Sequence, residues 1–180
     1  MVGFGSAQFS IAIYIANRPD IDPYRDLNSL HSLSPGEIDQ IVKETGNHWR
    51  KIFNVSAKFM FQLLSQSDEK ESLPNTWQEY RDNVLFQSHS PVSLLFSPPK
   101  TDQNQMIHII AGRTYATELG LTDLIWIDEE FAINENRKQI VCPYLDYRQL
   151  SNAKITRLVE LVLPQLNKFS IKRTLLVSAT

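Results

Sequence analysis

Apolar residues along this chain follow two different spacings, which separate predicted strands from predicted helices. Short apolar runs with little polar alternation are typical of strands that are covered on both faces, as in a parallel sheet. Runs with apolar residues three and four positions apart predict helices with one buried face. The predicted strands cover residues 9–16, 92–96, 124–127, 139–142 and 174–178. Strands alternate with helices, as in an α/β protein.

Capping signals mark where several of the helices begin. Ser34 and Glu37 form one Ser/Thr-x-x-Glu pattern, and Thr76 and Glu79 form another. In this pattern the hydroxyl accepts an N–H of the first turn, and the Glu side chain reaches back to the cap. We therefore expect capping boxes at both sites. The predicted helices cover about residues 35–45, 47–65, 77–87 and 151–166, with Pro164 ending or kinking the last one.

One segment allows more than one interpretation, and another predicts a hairpin. The segment from Asn104 to Leu119 begins with an Ile-rich run that suits a strand, but its spacing and the Gly120 that follows favour one helix. We predict the helix and keep a strand followed by a helix as the alternative. Residues 131–133 and 139–142 flank five polar residues, which predicts a β-hairpin.

Composition limits the class of protein further. With 180 residues, 42% of them hydrophobic, the chain is long enough to bury a core and short enough to be one domain, residues 1–180. The net charge of −2 disfavours nucleic-acid binding, which relies on excess positive charge. The sequence leaves open whether the chain forms a homo-oligomer.

The single cysteine and the amino terminus indicate the cellular compartment of the protein. Cys142 has no partner for an intrachain disulfide, which fits a reducing compartment, and we expect a cytoplasmic protein. The amino-terminal apolar run is too short for a signal peptide core or a membrane span. We expect the glycines at positions 3 and 5 to belong to a flexible end.

Familiar catalytic signatures are absent from the sequence. There is no phosphate-binding loop ending in Gly-Lys-Ser/Thr, no His-Glu-x-x-His and no Gly-x-Ser-x-Gly. The four histidines are widely separated, so no metal site is predicted. No cofactor is indicated either. Cys142 beside a proline is interpreted as a small buried hydrophobe, and His48 as a half-buried structural histidine.

Residues 144–149 form the loop that carries the predicted site. They connect a predicted strand to a predicted helix, and ligands of α/β proteins bind beyond the carboxyl ends of parallel strands. The loops that follow the predicted strands would bring further polar groups to the same edge. In this hypothesis Asp146 is the catalytic base, and ligand is bound by five residues: Arg18, Ser97, Tyr144, Tyr147 and Arg148.

A structural interpretation of this loop has about equal weight. Asp146 and Arg148 can hydrogen-bond to the loop backbone and to each other, which would hold the turn before the helix. Gly112 is the one glycine without a turn or helix end to explain it, so it indicates a close backbone approach.

Two segments, residues 46–55 (GNHWRKIFNV) and 142–152 (CPYLDYRQLSN), resemble an uncharacterised family of small bacterial proteins. The resemblance spans most of the chain. It implies no activity and assigns no role to any residue.

The sequence therefore predicts a three-layer α/β sandwich with a mostly parallel sheet of four or five strands and helices on both faces. Our first functional hypothesis is the binding, with turnover left open, of a small anionic or nucleotide-like ligand at the carboxyl edge. The alternative is a non-catalytic protein-interaction module that uses exposed aromatic residues such as Phe61.

Overall fold

The computed structural model describes residues 1–68, 70–100 and 106–177. Eight strands form one sheet: β1 (Gly3–Phe4), β2 (Ile11–Tyr14), β3 (Leu30–His31), β4 (Val92–Leu95), β5 (Ile107–Ala111), β6 (Ile125–Trp126), β7 (Ala132–Asn134) and β8 (Gln139–Cys142). The helices are α1 (Glu37–Thr45), α2 (Asn47–Leu64), α3 (Trp77–Asn83), α4 (Arg113–Glu118) and α5 (Asn152–Val177), with single 3-10 turns at Tyr24–Asp26 and Lys70–Ser72. None of the described helices is both long and apolar enough to cross a membrane.

The sheet is mixed, with the strand order β3-β1-β4-β2-β5-β8-β7-β6. Its centre, β4-β2-β5-β8, is parallel throughout. Antiparallel pairs join β1 to β4, β7 to β8 and β6 to β7. The α/β class is thus confirmed. The expected sheet of four or five strands describes only this parallel centre, because short strands on both sides extend it to eight.

Different helices pack on the two faces of the sheet. One face packs against α1, α2, α3 and α5 through alternate strand residues such as Ile13, Leu94, Ile109 and Ile140. The opposite face carries a smaller cluster with Tyr14, Ile110 and Val141, which packs against Ala116 of α4. Helices therefore lie on both faces, as expected, but most of the helical mass lies on one.

Helix α2 contributes the largest buried surface to the thicker layer. The residues predicted for its core face, from Trp49 to Leu64, are buried, and Val55 and Ala57 are buried beside them. Phe61, which the interaction hypothesis places on the surface, is partly buried against the same core. Phe61 is covered because α2 packs on α1, α3 and α5 and so is buried on more than one side, which leaves Phe61 unsuited to the interaction hypothesis.

Three predicted segments differ from the observed elements. The segment from Asn104 to Leu119 is strand β5 followed by helix α4 over its described part, with Gly112 between them, and Asn104 itself lies outside the described residues. The predicted strand 174–178 lies within α5 up to Val177, and the helix passes through Pro164 without ending there. Ser178 lies outside the described residues. The predicted β7–β8 hairpin is confirmed.

The amino terminus is ordered into the sheet and not a flexible end. Strand β1 is buried and pairs with β4. A Cβ atom at Gly3 would lie 2.0 Å from the carbonyl oxygen of Leu94, and one at Gly5 would lie 2.2 Å from Oγ of Ser93. Glycine is needed at both positions because β4 approaches the backbone too closely for a side chain.

Candidate functional site

The strand directions bring the predicted loops to one edge of the sheet. Strands β2, β4, β5 and β8 are parallel, and β6 has the same direction because two antiparallel steps through β7 separate it from β8. We call the edge beyond the last residues of these strands the carboxyl edge. It is formed by Asn17–Arg18, Ser97, Gly112–Arg113, Asp128–Glu129 and the loop 144–149.

Tyr144 lies at the centre of this edge and joins three elements. Its hydroxyl donates to Oδ1 of Asn17 at 3.0 Å and lies 3.1 Å from Nε2 of His48 at the start of α2. Burial, with a smaller effect of the Asp146 charge, raises the pKa of the Tyr144 phenol to about 12. Tyr144 is therefore a neutral hydrogen-bonding group at physiological pH.

Gly112 lies beside the Tyr144 ring in a conformation that favours glycine. Its φ of +109° is a conformation that L side chains rarely adopt, and a Cβ there would lie 3.9 Å from Cδ2 of Tyr144. Its N–H donates to the Cys142 carbonyl at 2.8 Å, which ties the end of β5 to the end of β8. A distance of 3.9 Å is an ordinary van der Waals contact, so the close backbone approach expected from the sequence is not found, and the positive φ is what favours glycine here.

Asp146 holds the loop together. Its Oδ2 accepts from Nζ of Lys51 on α2 at 2.8 Å, and its Oδ1 accepts the N–H of Arg148 at 3.0 Å. Partial burial tends to raise the pKa of Asp146, but the hydrogen bonds from Lys51 and from the Arg148 amide outweigh it, so the pKa lies below the ordinary value. The carboxylate is ionised, and each of its oxygens accepts one hydrogen bond from the protein.

Tyr147 and Arg148 form the exposed tip of the loop. The Tyr147 side chain is 54% exposed, and its ring lies 5.3 Å from Nζ of Lys51 and 5.8 Å from Cζ of Arg148. Within the described part of the chain, Arg148 forms no ion pair with a carboxylate. The side-chain hydrogen bond to Tyr147 and the nearby Asp146 charge raise the pKa of Arg148, and the exposed guanidinium keeps further donors for a ligand.

Arg18 and Ser97 make contacts that hold neighbouring segments in place. Nη1 of Arg18 donates to the carbonyls of Arg25 at 2.8 Å and Leu27 at 3.2 Å, and its guanidinium lies 5.7 Å from the centre of the Phe96 ring. Oγ of Ser97 accepts the N–H of Val2 at 3.1 Å. Their assignment as ligand-binding residues stays a prediction.

Sequence reasoning missed Lys51 and gave His48 a purely structural role. The two lie three positions apart, so they share one face of α2, and that face points to the loop 144–149. The spacing was visible in the sequence, but only the packing of α2 against α5 brings this face to the loop 144–149.

The site has no metal-binding geometry. No group of three or more His, Cys, Asp or Glu side chains in the described part of the chain could hold a metal ion. Cys142 is buried, and burial raises the pKa of its thiol to about 12. It is therefore no thiolate nucleophile at neutral pH.

These features define an α/β protein with a mixed sheet and a polar carboxyl edge. Residues 2–163 match a family of unknown function, DUF6942, and the chain belongs to that family. The match confirms the resemblance to an uncharacterised family, and bacterial origin stays a prediction. No curated protein and no solved structure gives a significant match to the chain.

Proposed function

We propose that the carboxyl edge binds a small anionic ligand through the tip of the loop 144–149. The supporting observation is the exposed guanidinium of Arg148, which has no carboxylate partner among the described residues and stands beside the Tyr147 ring. Guanidinium groups pair with phosphate or carboxylate oxygens through two parallel hydrogen bonds. A half-exposed aromatic ring next to such a group suits a planar moiety on the same ligand, as in a nucleotide.

The rest of the edge supplies a polar wall for this ligand. Asn17, His48 and Tyr144 are joined by hydrogen bonds and lie at the edge of the sheet that Arg148 also borders. In this proposal Asp146 positions Lys51 and the Arg148 backbone, because each of its oxygens accepts one hydrogen bond from them. The proposal is therefore one of binding, and Asp146 is a positioning residue. Its role as a catalytic base stays a prediction.

A thermal-shift titration tests the proposal, with sodium phosphate, AMP and citrate compared at constant ionic strength. At about 100 times its dissociation constant a ligand adds about 2.7 kcal/mol to the free energy of unfolding, which raises the melting temperature measurably. We expect Arg148→Ala to abolish the shift and Tyr147→Ala to weaken the AMP response most.

Arg50→Ala is the matched control. Arg50 is an exposed arginine of the same region of α2, but it lies two positions from His48 and so points away from the loop 144–149. The control should keep the full shift. The proposal fails if none of the three anions stabilises the protein, or if Arg148→Ala responds as wild type does.

We also propose a cellular compartment for the protein and a class of ligand that it does not bind. The single, buried Cys142 fits a reducing compartment, so we place the protein in the cytoplasm. The net charge of −2 leaves nucleic acid disfavoured as the source of the anion.

One observation favours a second function, that of an interaction module. Three consecutive apolar residues, Ile125, Trp126 and Ile127, are exposed by 66%, 38% and 41%. They lie at the β6 end of the sheet. These residues, and not Phe61, are the exposed apolar residues of the interaction hypothesis.

A further inference from the structure

Strand β6 is an open edge of the sheet. It is the last strand in the sheet order and pairs only with β7, so its other side has no strand neighbour in the part of the chain that the structure describes. Natural proteins protect such an edge by keeping the strand very short or by placing charged residues or proline in it. Strand β6 is only two residues long but carries neither a charge nor a proline. Here the exposed segment is Ile125-Trp126-Ile127.

A groove lies on each face of the sheet beside this edge. On the helical face a groove of about 270 Å³ is lined by Ile133, which pairs with Ile125, and by Leu161 and Pro164 of α5. On the opposite face a groove of similar volume is lined by Trp126, Leu121, Leu124 and residues of α4. Successive side chains of a strand point to opposite faces. A strand added at β6 would therefore direct its side chains alternately toward the two grooves.

The charges around the edge are mostly negative. Asp123 precedes the strand and Glu129 follows it, and both are exposed. Glu135 and Glu160 line the groove on the helical face, opposed there by Lys138. Arg113 is engaged, because its guanidinium lies 4.5 Å from the centre of the Trp126 ring and donates to the Glu129 carbonyl at 3.0 Å. Two further cations are neutralised by ion pairs, Arg157 with Asp128 and Lys154 with Glu130.

The same charges disfavour a second copy of this chain at the edge. Two β6 strands related by a two-fold axis at Trp126 would pair antiparallel, and residues three positions either side of Trp126 would then lie opposite each other. Asp123 of one copy would face Glu129 of the other. Like charges directly opposite each other destabilise a strand pair.

From the open strand, the two grooves and the acidic flanks, we propose that β6 binds an extended peptide segment of a partner protein, with apolar residues at its centre and basic residues at its ends. The peptide adds a strand to the sheet, so backbone hydrogen bonds supply affinity and the alternate side chains supply selectivity. This surface is distinct from Tyr147 and Arg148, and the inference does not depend on anion binding.

Binding of the synthetic peptide Lys-Thr-Ile-Val-Ile-Thr-Lys, measured by fluorescence anisotropy, tests this inference. The counterpart with Glu at both ends serves as the comparison probe. We expect the Lys peptide to bind at least about tenfold more tightly than the Glu peptide at low ionic strength, with the difference reduced by salt. Glu129→Lys should reduce or reverse this preference, whereas Glu71→Lys, a charge reversal at another exposed position, should leave it unchanged.

Amide hydrogen exchange distinguishes strand addition from a loose surface contact. The Lys peptide should slow exchange in residues 124–127, and Ile125→Ser should abolish both the protection and the anisotropy change. Three results overturn the inference: no binding of the Lys peptide, equal binding of both peptides, or protection elsewhere than β6. Concentration-dependent dimerisation that Ile125→Ser abolishes, measured by sedimentation equilibrium, would identify a second copy as the occupant and would also overturn it.

Discussion

Glu37 and Asp146 are two carboxylates that each accept a nearby backbone N–H, and the structure gives them different surroundings. The Glu37 cluster consists of Tyr24, His31, Ser34 and Glu37. Oε1 of Glu37 accepts from the Tyr24 hydroxyl at 2.5 Å and lies 2.6 Å from Nε2 of His31, while Oε2 accepts the Ser34 N–H at 2.8 Å. Asp146 has one lysine and one amide as partners, at the protein surface.

The two sites differ in whether the hydrogen-bond donors can reach water once the carboxylate is removed. The Tyr24 side chain is 5% exposed, so its hydroxyl has little access to water if Glu37 is removed. Lys51 is less enclosed and can turn its ammonium group toward solvent. The Glu37 network is partly buried, with only Tyr24 almost fully enclosed, and it joins the 3-10 turn at Tyr24 and strand β3 to α1. The Asp146 loop instead holds Lys51 and Arg148 where a ligand can reach them.

The largest expected effect follows from breaking the Glu37 cluster. Glu37→Ala should lower the free energy of unfolding by about 2–3 kcal/mol, because the Tyr24 hydroxyl and the Ser34 N–H lose their acceptor and His31 loses its contact with the carboxylate. Urea unfolding of the variant and wild type, analysed with a common slope, measures this loss.

Glu79→Ala is the matched control for the same sequence pattern. Thr76 and Glu79 form an exposed capping box, with the Glu79 N–H donating to Oγ1 of Thr76 at 3.1 Å and the Glu79 side chain accepting the Asn75 N–H. Its loss should cost only about 0.5–1 kcal/mol. Equal losses at the two positions would show that the Tyr24 and His31 contacts add nothing to a helix cap.

Asp146→Ala should have an intermediate effect, a loss of about 1–2 kcal/mol, because it removes one partly exposed ion pair and one turn hydrogen bond. Lys51→Met tests the ion pair alone and should cost less, since it keeps the hydrogen bond to the Arg148 amide. Both variants can be measured by the same urea unfolding. A loss at Asp146 as large as that of Glu37→Ala would contradict the comparison and make the loop mainly structural.

The smallest expected effect is on how steeply the free energy of unfolding falls as the pH is lowered. Burial opposes ionisation at both carboxylates, yet the hydrogen bonds they accept hold the pKa of each below its ordinary value in the folded protein. Such a group stabilises the fold above its unfolded pKa of about 4, and the contribution is lost as the pH falls through the lower folded pKa.

Glu37→Gln and Asp146→Asn should therefore each lose less stability than wild type between about pH 5 and about pH 3. Urea unfolding as a function of pH measures the slopes. If a variant loses as much free energy of unfolding as wild type does over this pH range, its carboxylate does not contribute to acid sensitivity.

The sequence by itself located features that depend on residues close together in the chain. Pattern and capping signals located α2, the start of α3 and the β7–β8 hairpin, because a helix start or a short hairpin is decided by side-chain and backbone groups a few positions apart. The start of α1 followed the same rule in part: Glu37 accepts the Ser34 N–H as expected, although the first helical residue is Glu37 itself and Gly36 is its cap.

Only the tertiary structure decided features that depend on distant strands and on burial. The Ile-rich run of β5 fits a strand or a helix, and it becomes a strand because β2 and β8 pair with it on both sides before Gly112 turns the chain into α4. The exposed β6, the packing that covers Phe61 and the Tyr24–His31–Glu37 network arose in the same way. Strand pairing and burial join residues tens of positions apart, and no local pattern records which partner each segment will meet.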